Sequence, residues 1–315
     1  MRARRVAALL LLIVAAGCAG TPGPDDPLPT LPPLVQPLAT RIPTSTPQPA
    51  PPAAQEAPAP ADSPPAPGAV NPPPAAPAAP AGAPPDWTFS VVGDTWKDTP
   101  MLHYILQDAA AQGDVLQVNL GDLTPQGRPE QLADFARVIG GAALPVFPVP
   151  GNHDVAWSKT TAPFEQYWPR HQSFDRQNAH FTLVDDSAVT LDQAELDWID
   201  ADLSATQQPV KFVFMHVPAL MPYPVPAESA LQAGGPEFMA LMEKHHVTAV
   251  YAGHLHAYTR VEHNGIPYII TGGGGEPLHV PSLLGGRYHY VRVAVRGDTS
   301  TDTVVLLNNV PTPGP

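Results

Sequence analysis

Five short polar clusters carry the residue types that could do chemistry together: Gly93-Asp94, Gly121-Asp122, Gly151-Asn152-His153-Asp154, His216 and Gly253-His254-Leu255-His256. Converging carboxylates, imidazoles and one amide are what a two-metal site needs, and mixed oxygen and imidazole donors suit Mn, Fe or Zn better than a thiolate metal or calcium. Each cluster follows an apolar run, at 88–92, 115–120, 145–149, 210–215 and 247–252. Runs of this length that end at a turn read as buried strands. In an open parallel sheet the residues just past the strands' carboxyl ends face one crevice, so clusters distant in sequence meet there. Singly, Gly-Asp is a turn and Gly-Asn-His-Asp a polar loop; in order, each behind a strand, they point to one site.

Helices must alternate with those strands to form a layered α/β domain. Thr99 and Pro100 suit the cap and first turn of a helix over 101–112, with Leu102, Ile105, Leu106 and Ala109 on one face and Gly113 as its stop. Pro129 opens a second, whose stripe is Leu132, Phe135, Ala136 and Ile139. Thr190 to Gln193 fits a capping box ahead of Leu196, Ile199 and Leu203. The runs 267–271, 289–295 and 303–307 read as strands of a second sheet. The expected architecture is a two-sheet α/β sandwich with flanking helices.

In order and wording the clusters resemble the calcineurin-like metallophosphoesterases, dinuclear metal phosphoesterases of the purple-acid-phosphatase-like superfamily. That family's pattern runs Asp-x-His, Gly-Asp, Gly-Asn-His-Asp/Glu, His, Gly-His-x-His. The resemblance extends over about 87–307 and takes in His180-Phe181-Thr182-Leu183, the helix-like 193–203, His256-Ala257-Tyr258, the glycine run 272–275 and the strand 289–295. It implies that Asp94 and Asp122 ligate two divalent or trivalent transition metal ions, with Asp122 bridging them. Asn152, His216 and His254 would then complete one shell, and His256 would belong to the other. The implied activity is in-line hydrolysis of a phosphomonoester or phosphodiester by hydroxide held between the ions. His153 would protonate the leaving alkoxide or steady the phosphoryl group, and Asp154 would orient it through the other ring nitrogen. Trp96 departs from the pattern, standing where many members have a metal-binding His, and an indole offers only a donor N–H. His254 and His256, two apart, would point to one side of a strand, whereas a turn could aim them at different ions.

Composition bounds the rest. The formal charge is −13 and no Lys/Arg run occurs beyond the N-terminus, so no nucleic-acid groove is expected. Attraction for an anionic phosphoester must therefore come locally, from metal ions. Arg2, Arg4 and Arg5 precede the apolar run 6–16, which is too short to span a bilayer and the right size for a signal peptide. Ala15-Ala16-Gly17-Cys18 resembles a bacterial lipoprotein box, the alternative being a plain secretory signal cleaved nearby. Cys18 is the sole cysteine, which excludes an intrachain disulfide and favours acylation of an otherwise exposed thiol. Of the chain's 44 prolines, 24 fall between Thr21 and Pro85. Such a stretch cannot bury enough surface to fold and reads as a semi-rigid stalk, with a proline-motif ligand as the alternative. The expected organisation is a signal peptide over 1–17, a disordered linker over 18–85, the folded domain over 86–310 and a tail over 311–315. That arrangement places the domain outside the cytoplasm, held to the membrane of the cell envelope by lipid.

Long Pro- and aromatic-containing connections at 155–178 and 221–236 are candidates for the substrate rim, with Trp157, Tyr167, Arg170, His171, Tyr223 and Trp96 its foremost residues. The remaining histidines read as structural: His103 on a helix surface, His180 at a strand start, His245 and His246 at a helix end, and His263, His279 and His289 in loops or strands. Two other readings stay open, a catalytically silent binding module, suggested by Trp96, and a surface scaffold whose working part is the stalk.

Overall fold

The structure, a computed structural model, describes residues 86–96, 100–223, 229–308 and 310. The expected signal peptide, Cys18, the linker and the tail 311–315 lie outside the described residues. Among these residues no helix is long and apolar enough to cross a membrane.

Two sheets form a sandwich. The first has the order β11-β10-β1-β2-β3, built from β1 (Trp87–Val92), β2 (Gln117–Asn119), β3 (Val146–Pro148), β10 (His289–Arg296) and β11 (Thr299–Leu306). The second has the order β4-β5-β6-β7-β9-β8, built from β4 (Gln172–Arg176), β5 (Ala179–Leu183), β6 (Val210–Phe214), β7 (Ala249–Ala252), β8 (Tyr258–His263) and β9 (Ile266–Thr271). Both are mixed: β1-β2-β3 and β5-β6-β7-β9 run parallel, and antiparallel strands close the edges.

The partition corrects the sequence expectation. Of the late strands only β9 belongs to the second sheet; β10 pairs antiparallel with β1, with Trp87 opposite Val295 and Val91 opposite Val291, and carries β11 outward. The five cluster-bearing strands are likewise shared, three in the first sheet and two in the second. The crevice they address is the common end of both sheets rather than the edge of one.

Parallel neighbours need crossover connections, and helices provide them. α1 (Pro100–Ala111) joins β1 to β2 and α2 (Pro129–Gly140) joins β2 to β3, while α3 (Gln193–Ala205) joins β5 to β6 and α4 (Gly235–Lys244) joins β6 to β7. Met101, Leu102, Ile105, Leu106 and Ala109 of α1 are buried, as are Leu132, Phe135, Val138 and Ile139 of α2, and together they cover the outer face of the first sheet. The cap of α3 is Asp192, which accepts the N–H of Glu195 at 2.9 Å, rather than Thr190. Either residue type can cap; Thr190 is instead drawn into a bridge with Ala233.

The alternation of strand residues decides what lies between the layers. Trp87, Phe89 and Val91 of β1 face Phe181, Phe212, Phe214 and Tyr251 of the second sheet, and the ring of Phe89 stands edge-on to Phe181 and Phe212 at 5.1 Å each. Each of these buried phenylalanines contributes about 1.5–3 kcal/mol of transfer free energy, so this aromatic interface is what presses the two sheets together. Val213 and Met215, on the opposite face, pack under α3 and α4. Three two-residue turns, Gln177-Asn178, Asn264-Gly265 and Gly297-Asp298, close the antiparallel hairpins. The strands they start or end run so that all three turns sit at the end of the sandwich away from the clusters.

Candidate metal centre

At the carboxyl ends of β1, β2, β3, β6 and β7 the five clusters do meet. Asp122 Oδ2 lies 3.3 Å from His216 Nε2, which is 2.9 Å from Asn152 Oδ1 and 3.2 Å from His254 Nδ1. On the other side His256 Nε2 lies 3.5 Å from Asp94 Oδ1 and 3.2 Å from Glu276 Oε2. Asp122, His216 and His254 thus form one group that could hold a cation, and Asp94, His256 and Glu276 a second. The turn after β7 sends His254 and His256 to different groups, which settles the choice left open by their spacing.

Backbone geometry aims these side chains. Asp94, Asp122 and His254 all have φ between 49° and 64°, a region that costs a non-glycine residue energy unless its surroundings hold it there. The surroundings do so through hydrogen bonds. Asp94 accepts the N–H of His254, and Asp122 Oδ1 accepts the N–H of His153 at 2.9 Å. Glycine makes the close approach possible: a Cβ on Gly151 would fall 2.2 Å from Asp122 Oδ1, and one on Gly272 2.5 Å from Asp94 Oδ2.

Three histidines share a device. Nδ1 of His216 faces the carbonyl of Leu120 at 2.7 Å, that of His256 faces Pro277 at 2.8 Å, and that of His153 faces Pro125 at 2.9 Å. A carbonyl can only accept, so Nδ1 carries a proton and Nε2 is the ring atom turned into the cleft, the one a metal would take in exchange for a proton. The electrostatics also call for a cation. Burial alone would lower the pKa of His216 and of His256, but the charge and hydrogen bonding of Asp122 push the first up to about 10, and the facing carboxylates of Asp94 and Glu276 push the second up to about 11. Burial would raise Asp122, yet His216 and His153 hold it at about 2. Buried carboxylates in this number draw positive charge, and the donor set fits divalent or trivalent transition metal ions.

His153 sits half-exposed at the mouth, its Nε2 4.0 Å from Asp122 Oδ2. Burial works against its protonation, but Asp122, the Pro125 carbonyl and Glu276 outweigh it and raise the pKa above 6.5. Asp154 does not orient this ring, which corrects the sequence expectation. Its carboxylate is fully buried and accepts the N–H groups of Gly151, Leu123 and Thr124 and the Thr124 hydroxyl, so it shapes the loop on which His153 stands. Trp96, at φ 42°, sets its indole edge-on to His153 with ring centroids 6.0 Å apart.

The expected rim is only partly a rim. Trp157 is 51% exposed, and Arg170 lines a cavity of about 440 Å³ with Val155, Lys159 and Asp185. Tyr223 packs against Leu255, Ala257 and Ile270, beneath the turn that carries His254 and His256. Tyr167 instead lies tilted against Trp168 at the α1 and α2 cluster, and His171 is taken up by Glu195 at 2.6 Å and the ring of Trp198. Two residues escaped the sequence reading. Asp186 accepts the N–H groups of His216 and Val217, and Glu276 joins the second group. Both follow a strand end, Glu276 behind Gly272–Gly275, so the signal that exposed the other clusters was present there too. His279, expected to be a plain loop residue, lays its ring on that of His256 at 4.3 Å.

Residues 88–258, more than half of the chain, match the calcineurin-like phosphoesterase family. The chain belongs to the calcineurin-like phosphoesterase family. Among its relatives, a 3',5'-cyclic-nucleotide phosphodiesterase of Nostoc sp. is 24% identical over 155 residues, covering 47% of this chain and 58% of the relative. The glycerophosphodiester phosphodiesterase GpdQ of Enterobacter lignolyticus is 27% identical over 162 residues, covering 45% and 56%. The phosphoesterase chain therefore spans a little over half the length of the curated relatives it matches. Purple acid phosphatase PPD1 from yellow lupin seeds shares the fold at TM-score 0.58 and 15% identity, over 73% of this chain and 53% of that one. GAP50, the anchor in the inner membrane complex of Plasmodium, does so at TM-score 0.56 and 14% identity, over 72% and 86%.

Proposed function

We propose that this phosphoesterase-family chain is a metal-dependent hydrolase of phosphoesters. The observation that carries the reading is the meeting of Asp94, Asp122, Asn152, His216, His254 and His256 at one crevice, with His153 half-exposed at its mouth beside Asp122. Ions bound there supply Lewis-acid polarisation of the phosphoryl oxygens and a lowered pKa for water. The protein's own residues do the remainder. Asp122, between the groups, fixes their spacing; the Nδ1–H bonds of His216 and His256 hold their rings in place; and His153, whose hold on a proton Asp122 and the Pro125 carbonyl strengthen against burial, gives its Nε2 proton to the leaving alkoxide. A retained proton donor favours an enzyme over a silent module.

Both curated relatives are named as phosphodiesterases, which supports diesters as the substrate class. The lipoprotein-like Cys18 supports a domain carried on a stalk at the outer face of a membrane. The test is turnover of bis(p-nitrophenyl) phosphate and p-nitrophenyl phosphate by the full chain, stripped of metal and reloaded with Mn, Fe or Zn. Hydrolysis that returns with metal and is faster for the diester is the expected result; no hydrolysis of either ester with any metal overturns the reading.

A further inference from the structure

Glu276 is placed with unusual care for a residue no motif assigns. Its backbone N–H donates to the carbonyl of Asp94 at 2.9 Å, which pins the end of the glycine run to the end of β1. The side chain is only 8% exposed and reaches into the cleft. Its Oε2 is buried and faces His256 Nε2 at 3.2 Å, an ion-pair contact without hydrogen-bond alignment, and has no hydrogen-bond partner among the described residues. A buried carboxylate oxygen left this way is costly unless a cation meets it. Its neighbours are donors that cations use: it groups with Asp94 and His256, and also with Asp122 and His153.

The same side of the cleft has a single imidazole, that of His256, in its donor group. Trp96 stands where many family members have one, and its indole lies edge-on to His153. We propose that Glu276 is a metal ligand of this chain and completes the Asp94 and His256 position in place of the imidazole missing at Trp96. The proposal rests on the metal-dependent reading above. It makes the two positions chemically unequal. One would draw on three carboxylates, Asp94, Asp122 and Glu276, with one imidazole; the other on one carboxylate, one amide and two imidazoles. Oxygen-rich sites prefer harder ions, so Mn or ferric iron belongs at the Glu276 position and a softer divalent ion such as Zn at the other.

The test is metal content of the full chain by elemental analysis after equilibration with Mn and Zn, together with the Mn(II) resonance signal, in wild type, Glu276→Gln and Glu276→Ala. Gln keeps the volume and removes the charge. Wild type should hold two ions, and both variants one, with Mn affinity down by more than about 100-fold, since even outer contacts to a ligand are worth about 10–100-fold. Adding Trp96→His to Glu276→Ala should restore the second ion and shift its preference from Mn toward Zn. A folded Glu276→Gln that keeps two ions at wild-type affinity overturns the assignment while leaving the phosphoesterase reading intact. A wild type that binds no ion overturns both.

Discussion

The carboxylate of Asp94 accepts the backbone N–H of His254 on both oxygens, at 3.1 and 2.9 Å. That bond ties the end of β1 in one sheet to the end of β7 in the other, and Gly93 N–H completes the seam by donating to the carbonyl of Thr271, at the end of β9, at 2.9 Å. The metal groups are therefore built across the sandwich, and each sheet brings an incomplete donor set.

His153 and Asp122 should separate chemistry from metal retention. His153→Ala is expected to lose about 10²–10⁴-fold in turnover, the range of a general acid, and to keep its metal. Asp122→Asn should lose metal as well as activity. Activity assays alongside elemental analysis decide this; undiminished turnover in His153→Ala sinks the assignment.

Gly272→Ala tests the close packing around Asp94. The new methyl would have to lie 2.5 Å from Asp94 Oδ2 and 2.6 Å from the Leu255 carbonyl, neither of which is a free chain end. Displacing them should cost about 1–3 kcal/mol of stability and weaken metal binding. A denaturation midpoint and metal content both equal to wild type would show that the cradle is slack.

Two histidines outside the metal groups give stability opposite slopes with pH. His180 is held between Asp202 at 3.0 Å and Asp175 at 2.7 Å. Burial opposes its charge, but those two carboxylates raise its pKa above 6.5. Folding then binds its proton more tightly, so its contribution is full below pH 6.5 and is lost as pH rises through the folded value. His289 is buried against Thr271 and the Arg287 carbonyl, and burial lowers it to about 4, so its contribution is full above pH 6.5 and is lost as pH falls toward 4. Urea midpoints across pH should show His180→Asn flattening the alkaline decline and leaving the acid one. The reverse pattern would refute the pairing.

For the anchor, Cys18→Ser should abolish labelling by a palmitate analogue and leave the chain as precursor or released from membranes. Several acyl chains, unlike a single one, hold a protein firmly to a bilayer. Equal labelling of wild type and variant removes the lipoprotein reading.

The parts of this fold that were legible in the sequence are those written locally. An apolar run, a glycine and a polar residue mark each strand end, and the 3.6-residue stripes of α1 and α2 mark their buried faces. The pairing of β10 with β1 joins residues some two hundred positions apart and leaves no local trace, so the sheet partition was misjudged. Asp154 was misassigned because adjacency to His153 suggested a ring contact, whereas three backbone N–H groups had the stronger claim on its carboxylate. Glu276 and Asp186 also follow strand ends, but neither falls within a phrase of the family pattern that singled out the other clusters.

The three tight hairpin turns at the far end of the sandwich make that end a handle. A Cβ at Gly265 or Gly297 would meet nothing within 4 Å, so these turns have room for added chain. A spectroscopic label or an immobilising tether placed at Asn264-Gly265 would stand about 20 Å, the length of β9, from the cation-binding groups. It could report on the domain, or fix it to a surface, with the mouth of the cleft facing away.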